Sequence, residues 1–594
     1  MTRLMERVLL LDGTNTYARE LVGGKGASIA RMRSLGLAVP PAFVLPIEEC
    51  RRYHAAGEQI DEACWQAVLD GIAVIEREAG RRFGDPASPL LVSVRSAAAV
   101  SMPGMMDTIL NLGITDEVEQ GLAKLSGDAA FARETHVRFV HEFGSMVLGA
   151  QLDPPGDDAT AEEVRAAVAE DVGEEVPTNP HDQLRAAIRA VFASWSSRRA
   201  VAYRRHWGIP EEGGGTAVIV QAMVFGNLGE RSGTGVLFTR DPLSGAPEPY
   251  GEWLAGGQGE DVVSGTHDPS PLSALRDELP EIHRELLDAG RLLEQEHGDV
   301  QDVEFTVENG RLYLLQARSA KRSPLAAVRT AVDLASEGRI DHATALQRIT
   351  PQQLASVLAP RLDDAVTAGA EVLARGTPAC PGVAAGTAVA SSDEAEGAEG
   401  DTVLARPTTS PEDVPGMIAA RAVVTERGGS TSHAAVVTRA LGRPSVVGVG
   451  EGQTAAWAGR EVTVDGSAGV VYSGVLPTEQ VRAEDVPGLD LAIEWLRELS
   501  PVSVVGDADD VLDLDAEGVS LDPDEEIDVD ALAQRIRGAG AVKGSILTTD
   551  AGARALLQSG VQTIVRLPGQ HDAALLLRLV QAGASNDHEE EKAR

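Results

Sequence analysis

Aromatic side chains are scarce, at 4% of 594 residues, so leucine, valine and alanine must do most of the packing. Cysteine is scarcer still. Cys50, Cys64 and Cys380 show no CxxC or metal-ligand spacing, and three thiols cannot all pair within one chain. They predict free thiols in a reducing compartment. Positive charge is also short. The chain has 52 basic residues, nearly all arginine, against 90 acidic ones, for a formal net charge of -38. That field repels nucleic acid and anionic membranes and argues against both as partners, while saying nothing about fold. No apolar run approaches the roughly 20 residues of a membrane span. The opening MTRLMERVLLLDG turns polar too soon for a secretory signal. The expected location is the cytoplasm.

What is present is an ordinary globular composition, 43% hydrophobic, in a chain long enough for about three or four domains. VLLL, FVLP and PLLVSVRS are short strand candidates, and residues 27–35 read as an amphipathic helix closed by Gly36. Residues 115–207 are mostly helical. Strands return in TAVIVQAMV, GVLFTR, VEFTV and RLYLLQAR, the last two joined by a strong hairpin signal, ENG. Residues 325–372 predict a linker of helices. A new unit with strands VLAR, AVVT, PSVVGV and EVTVDG covers 373–480. Residues 481–594 predict an acidic linker, a small α/β piece and a disordered tail, SNDHEEEKAR.

The most informative string is RAVVTERGGSTSHAAVVTRALG. AVVT reads as a buried strand, Gly428 and Gly429 as a tight turn, and Ser430, Thr431 and Ser432 as N-cap candidates. His433 then falls in the first turn of a helix, among unpaired N–H groups at the positive end of the helix dipole. An anion on its ring is stabilised there by about 0.3–2 kcal/mol. A neutral imidazole is also a competent nucleophile near pH 7.

Three further blocks suggest anion chemistry. LVGGKGASIARMRSLG is not a P-loop, because Arg19 stands where the first glycine belongs and Gly26 follows Lys25. Taken alone it is a turn before a helix with one exposed lysine. In VSVRS, Arg95 stands at a strand end and can fork onto a phosphate. Gly233, Thr234 and Gly235 predict a turn whose N–H groups approach phosphate oxygens. In QDVEFTVENGRLYLLQARS, Asp302 and Glu304 share one face of a strand, as do Gln316 and Arg318 on the returning strand. If the hairpin pairs through ENG, the four converge. Two acids and an amide oxygen suit Mg²⁺, and Arg318 can neutralise a phosphoryl group.

GGSTSHAAVVTRALG resembles the phosphohistidine motif shared by pyruvate phosphate dikinase, phosphoenolpyruvate synthase and the first enzyme of the sugar phosphotransferase system, and is most like the dikinase version. The other blocks are similar to the dikinase nucleotide domain, in the same order. The resemblance implies an α/β and α+β multidomain fold: an ATP-grasp-like domain over 1–324 with a helical insert at about 115–207, a helical linker over 325–372, and a swivelling phosphohistidine domain over 373–480. It implies ATP and Mg²⁺ as cofactors, His433 as the phosphorylated histidine, and Thr431 as the counterpart of a threonine whose phosphorylation silences plant dikinases. It places Lys25, Arg95 and Arg318 on phosphates, Gln221 and Met223 in the adenine pocket, Gly233, Thr234, Gly235 and Thr239 beside the nucleotide, and Glu304, Gln316 and Asp302 at the metal. The loop SMPGMMDT covers the nucleotide.

Three departures stand out. THDPS replaces the dikinase Ile-Arg-Thr-Pro stretch, RPSVVG replaces paired cysteines after the histidine helix, and the residues after 480 carry no motif of the dikinase's pyruvate-binding β/α barrel. The expectation is therefore a phosphotransferase that takes a phosphoryl or pyrophosphoryl group from ATP onto His433, with phosphate or water as co-acceptor. The final acceptor would be pyruvate on a separate barrel subunit or another small molecule. A homodimer is compatible with this, and a non-catalytic ATP-binding regulatory protein is the alternative.

Overall fold

The computed structural model describes residues 7–593 apart from 101–107, 157, 207–213, 260–268, 359–360, 431, 442, 480, 518, 520–526 and 567–571. Thr431, the SMPGMMDT loop up to Asp107 and most of the THDPS stretch thus lie outside the described residues. Among the described residues, no helix is long and apolar enough to cross a membrane.

The first half is built on two antiparallel sheets. In one, Val92–Ala98 lies between Thr216–Ala222 and Thr108–Leu112, and Ala42–Leu45 and Leu9–Leu10 extend the other edge. Thr216–Ala222 is buried at every position, which is why TAVIVQA shows no alternation. Helices from Asp116–Ser126 to Pro180–Ser194 share a large apolar core with this sheet, and Arg198–His206 follows them. The second sheet has the order Ser270–Pro271, Tyr250–Ala255, Gly233–Phe238, Gln301–Glu308, Arg311–Ser319. ENG closes the last hairpin as predicted, with Asn309 and Gly310 both at positive φ, 49° and 76°.

Two local expectations need correcting here. Gly233, Thr234 and Gly235 do not form a turn. They open a strand paired on both edges, with Thr306 opposite Thr234 on one side and Leu254 on the other. Glycine is required for packing: a Cβ on Gly233 would lie 2.2 Å from the Trp253 ring, and one on Gly235 2.3 Å from the Glu252 carbonyl oxygen. The first helix also begins earlier than predicted. Arg19–Ser34 is a single turn, a break at Gly23 (φ 72°, ψ 166°) and a second helical stretch from Gly24. That helix sits between the two sheets. Val22 and Ile29 share a core with Ile219 of the first sheet and Leu237 and Phe305 of the second. Ser28 Oγ donates to the Ala317 carbonyl at 2.6 Å.

Residues 325–372 are less continuously helical than predicted. Helices Pro324–Ser336, His342–Gln347 and Pro351–Val357 are followed by a short strand, Arg361–Leu362, a helix Asp364–Gly369 and the strand Val372–Arg375. The alanine-rich periodicity on either side hid that break. The linker helices do not stand alone. They share one core with Leu489–Leu499 and with the start of Asp572–Ala593. Arg361–Leu362 pairs with Thr478–Glu479, so the two connections to the histidine-bearing domain run side by side.

The histidine-bearing domain is an eight-stranded sheet. Its parallel centre is Val383–Val389, Thr402–Arg406, Ala422–Thr425 and Ser445–Val447. The last unit is a small parallel sheet in the order Ser503–Val505, Thr563–Val565, Ala541–Lys543, Val511–Asp513. Part of the acidic run is thus a strand rather than a linker. Residues 585–593, expected to be disordered, continue the last helix, because Glu and Lys are strong helix formers that prolong an anchored helix.

Candidate functional site

Side chains of residues directly opposite one another in an antiparallel sheet share a face. In the second sheet this rule gives two adjacent rows. One is Gln316, Glu304, Val236, Glu252, and the next is Arg318, Asp302, Phe238, Tyr250. The polar ends of both rows lie side by side on one face of the sheet. From the first sheet Arg95 reaches this face, its Nη2 donating to Glu304 Oε2 at 3.3 Å and to Gln316 Oε1 at 3.4 Å. Gln316 Nε2 donates to Glu304 Oε1 at 3.4 Å, and Arg318 Nε to Asp302 Oδ2 at 2.8 Å. The predicted convergence of these residues is what the hairpin register produces.

Lys25 joins the cluster from the first turn after the Gly23 break, beside backbone N–H groups at a helix start. Its charge and those of Arg95 and Arg318 all act on Glu304. Burial alone would raise Glu304, but the three cations outweigh it and hold the carboxyl below its usual range. The Asp302 carboxylate holds Arg318 firmly protonated. Burial and the two guanidiniums push Lys25 down to about 7. Three cations against two carboxylates leave an excess positive charge in the cluster, which suits a polyanion.

The Lys25 shift has a measurable consequence. In the free protein this ammonium is about half neutral at pH 7. A triphosphate seated on Lys25 would favour its charged form, so binding above pH 7 would take up a proton. Affinity should therefore fall as pH rises from about 7, by up to about tenfold per unit, and lose this dependence below pH 6. Lys25→Arg should remove the slope, since a guanidinium stays charged. Calorimetry at pH 8 in buffers of differing ionisation enthalpy checks this. Absence of proton uptake would contradict it.

The remaining nucleotide candidates make their contacts outside this cluster. Gln221 is buried and donates to the Pro40 carbonyl at 3.2 Å. The Met223 N–H donates to the Leu91 carbonyl at 2.9 Å, and its half-buried side chain packs on the core of the first sheet. Thr234 Oγ1 donates to the Phe305 carbonyl at 3.0 Å. Thr239 donates to Glu294 at 2.6 Å, next to the ion pairs that Arg240 makes with Glu294 and Glu337. That is a structural network at the far end of the strand.

His433 opens the helix His433–Leu441. The Ser432 carbonyl accepts the first intrahelical bond, from Val436 N–H at 3.0 Å. Ser432 thus holds the N-cap position, but its buried hydroxyl has no partner and caps nothing. The imidazole is largely buried. Burial lowers its pKa, and the Asp413 carboxylate and a hydrogen bond with the Ser410 backbone only partly oppose that, so the ring is neutral at pH 7. Nε2 has no hydrogen-bond partner among the described residues. In the tautomer protonated at Nδ1, the Nε2 lone pair is available.

The histidine turn rests on the second sheet. The Ser430 hydroxyl donates to Glu252 Oε1 at 2.6 Å and accepts from Tyr250 Oη at 2.5 Å. Glu252 and Tyr250 terminate the two rows that begin with Gln316 and Arg318. Ser430 is therefore docked two strands from Glu304, a separation of about 10 Å between strand axes. Apolar contacts reinforce this, with Ala98, Trp195 and Tyr203 packing against a cluster containing Val414, Met417 and Val437.

Comparison with known proteins agrees with this architecture. Residues 64–286 match the family described as pyruvate phosphate dikinase, AMP/ATP-binding domain. Residues 398–469 match the PEP-utilising enzyme, mobile domain. The first matched stretch includes Arg95's neighbouring strands and the second includes His433. It is 41% identical over 534 residues to the chloroplastic pyruvate, phosphate dikinase of Mesembryanthemum crystallinum, covering 83% of this chain and 56% of that one. It is 40% identical over 552 residues to the pyruvate, phosphate dikinase of Clostridium symbiosum, covering 85% and 63%, and 41% identical over 534 residues to pyruvate, phosphate dikinase 2 of Zea mays, covering 83% and 60%. The chain spans about three fifths of the length of these relatives.

Sequence reasoning missed Ser410, Asp413, Tyr250 and Glu252. A signal existed for the first two: SPED is a turn that opens a helix, and Asp413 Oδ2 accepts from Ser410 N–H at 2.9 Å. No sequence signal shows that Glu252 meets Ser430, because that contact joins residues 178 apart.

Proposed function

We propose that this protein is an ATP-dependent phosphotransferase of the pyruvate phosphate dikinase type, with His433 as the phosphorylated residue and residues 1–324 as an ATP-grasp-like donor domain. The observation that carries the reading is the docked histidine. Ser430, three residues before a neutral imidazole whose Nε2 has no partner among the described residues, is docked on the same sheet face as a cationic cluster suited to phosphates. In the chemical step Nε2 attacks a phosphorus of ATP, an N–P bond forms and a P–O bond breaks. ADP leaves if the γ-phosphoryl moves, and AMP leaves if a pyrophosphoryl group moves.

Lys25, Arg95 and Arg318 balance charge on the phosphates during that displacement. Gln221 and Met223 border the adenine, and Thr234 lies on the strand beneath the nucleotide. Glu304 and Gln316 fit a magnesium ion, because their oxygens already converge on one donor, Arg95 Nη2, and magnesium needs few protein ligands beside phosphate and water. Bound there, magnesium supplies further neutralisation of the phosphates. Asp302 acts one step away by holding Arg318. The paired strands Arg361–Leu362 and Thr478–Glu479 are the pivot on which the histidine domain swivels. The second acceptor is pyruvate, presented by a barrel outside the residues described here, or another small molecule.

The test is to incubate the protein with Mg²⁺ and ATP labelled separately at the β or γ phosphate. We expect acid-labile, alkali-stable label on the protein. Absence of label from both positions would contradict the proposal. Label from β as well as γ identifies pyrophosphoryl transfer.

A further inference from the structure

Buried polar atoms without hydrogen-bond partners are rare in folded proteins, and each needs a cause. Among the described residues of 373–480 they are Arg406 Nε, Thr409 Oγ1, Ser432 Oγ and His433 Nε2. All four belong to one neighbourhood. Thr409 adjoins Ser410, whose backbone bonds the His433 ring, and Ser432 adjoins His433 itself. Arg406 pairs with Asp413 at 3.2 Å, and the Asp413 charge acts on the same ring. The other guanidinium nitrogens are engaged, Nη1 by the Ala390 carbonyl at 3.1 Å and Nη2 by Asp413, which leaves the Nε–H.

Three of these atoms are donors and the fourth is a lone pair. A phosphoryl group on Nε2 brings three acceptor oxygens to that place. The chain also forgoes an ordinary benefit there, since the Ser432 hydroxyl stands at the N-cap position without capping the helix. A hydroxyl kept from the helix N–H groups and out of water is matched to a different acceptor.

We infer that Arg406, Thr409 and Ser432 form a ready-made cradle that donates hydrogen bonds to the phosphoryl oxygens on His433. This rests on the phosphohistidine reading given above. The cradle makes and breaks no covalent bond. It lowers the energy of the adduct relative to the free imidazole and slows its loss to water. Arg406 has a second, positioning role through Asp413.

The test compares wild type with Thr409→Val, Thr409→Ser and Ser432→Ala after incubation with Mg²⁺ and labelled ATP. The readouts are the phosphorylated fraction, the lifetime of the label after ATP is removed, and the ³¹P shift of the adduct in the folded protein. Thr409→Val and Ser432→Ala should each lower the phosphorylated fraction about five- to tenfold and shift the ³¹P resonance. Thr409→Ser should restore both, which a purely packing role for the threonine would not. ATP affinity should match wild type in all three. Wild-type labelling, lifetime and ³¹P shift in both Thr409→Val and Ser432→Ala would overturn the cradle while leaving the phosphohistidine intact. Failure of wild type to take label overturns both.

Discussion

Replacing His433 by asparagine should reduce transfer of label from ATP to the protein by at least about a thousandfold, to background. Asparagine keeps a polar side chain of modest size at the helix start but offers no nitrogen lone pair to attack phosphorus. The ATP cluster is carried by other elements, on the helix around Lys25 and on the strands of Arg95, Glu304 and Arg318. Nucleotide binding should therefore survive, with an affinity within about twofold of wild type. Isotope exchange between ATP and its released nucleotide should vanish with the label. The pH dependence in wild type should follow the same group. Because burial lowers the His433 pKa, labelling at saturating ATP should be lost on acidification at a lower pH than a free imidazole would show. Label that persists in His433→Asn would move the phosphorylated residue elsewhere.

Gly23→Ala should be the most damaging small substitution near the site. Gly23 has φ 72° and ψ 166°, a region open essentially to glycine alone. An added Cβ would also stand 1.9 Å from the Ala97 carbonyl oxygen. The two nearest atoms are the Ala97 carbonyl oxygen and carbon and the third is its Cβ at 2.8 Å, so no flexible side chain can rotate away. Strain and overpacking together should cost about 3 kcal/mol or more, measured as a lower urea midpoint with an unchanged slope. The functional loss should be larger than the stability loss suggests. Gly23 sets where the helix restarts, and so where Lys25 stands relative to Arg95. ATP affinity should fall by more than about tenfold even in protein that remains folded. Wild-type stability together with wild-type affinity would show that the break at Gly23 is dispensable.

Much of the site was legible because its chemistry is local. Asp302 and Glu304 two apart, the ENG turn, and Gln316 and Arg318 two apart fix a hairpin register by themselves, and the register places the four polar groups. His433 was legible for the same reason: a strand, a glycine turn and a helix start adjoin it in sequence. Gly233–Gly235 misled because a glycine run reads as a turn, whereas here glycine makes room for the Trp253 ring and the Glu252 backbone on a neighbouring strand. The linker helices misled in the opposite sense. Their apolar stripe is real, but it is buried against Leu489–Leu499 and the last helix, partners more than a hundred residues away. Docking of Ser430 on Glu252 and Tyr250 is likewise a long-range contact between polar side chains, which no local pattern encodes.

The most direct measurement is the site of the N–P bond within the imidazole. Protein labelled with ¹⁵N at histidine, treated with Mg²⁺ and ATP, can be read by long-range ¹H–¹⁵N correlation of the ring at alkaline pH. Nε2 of His433 is buried with no partner among the described residues, so the adduct should form there, with Nδ1 free of phosphoryl. A phosphoryl group on Nδ1, or on any residue other than His433, would contradict the geometry on which the proposed function rests.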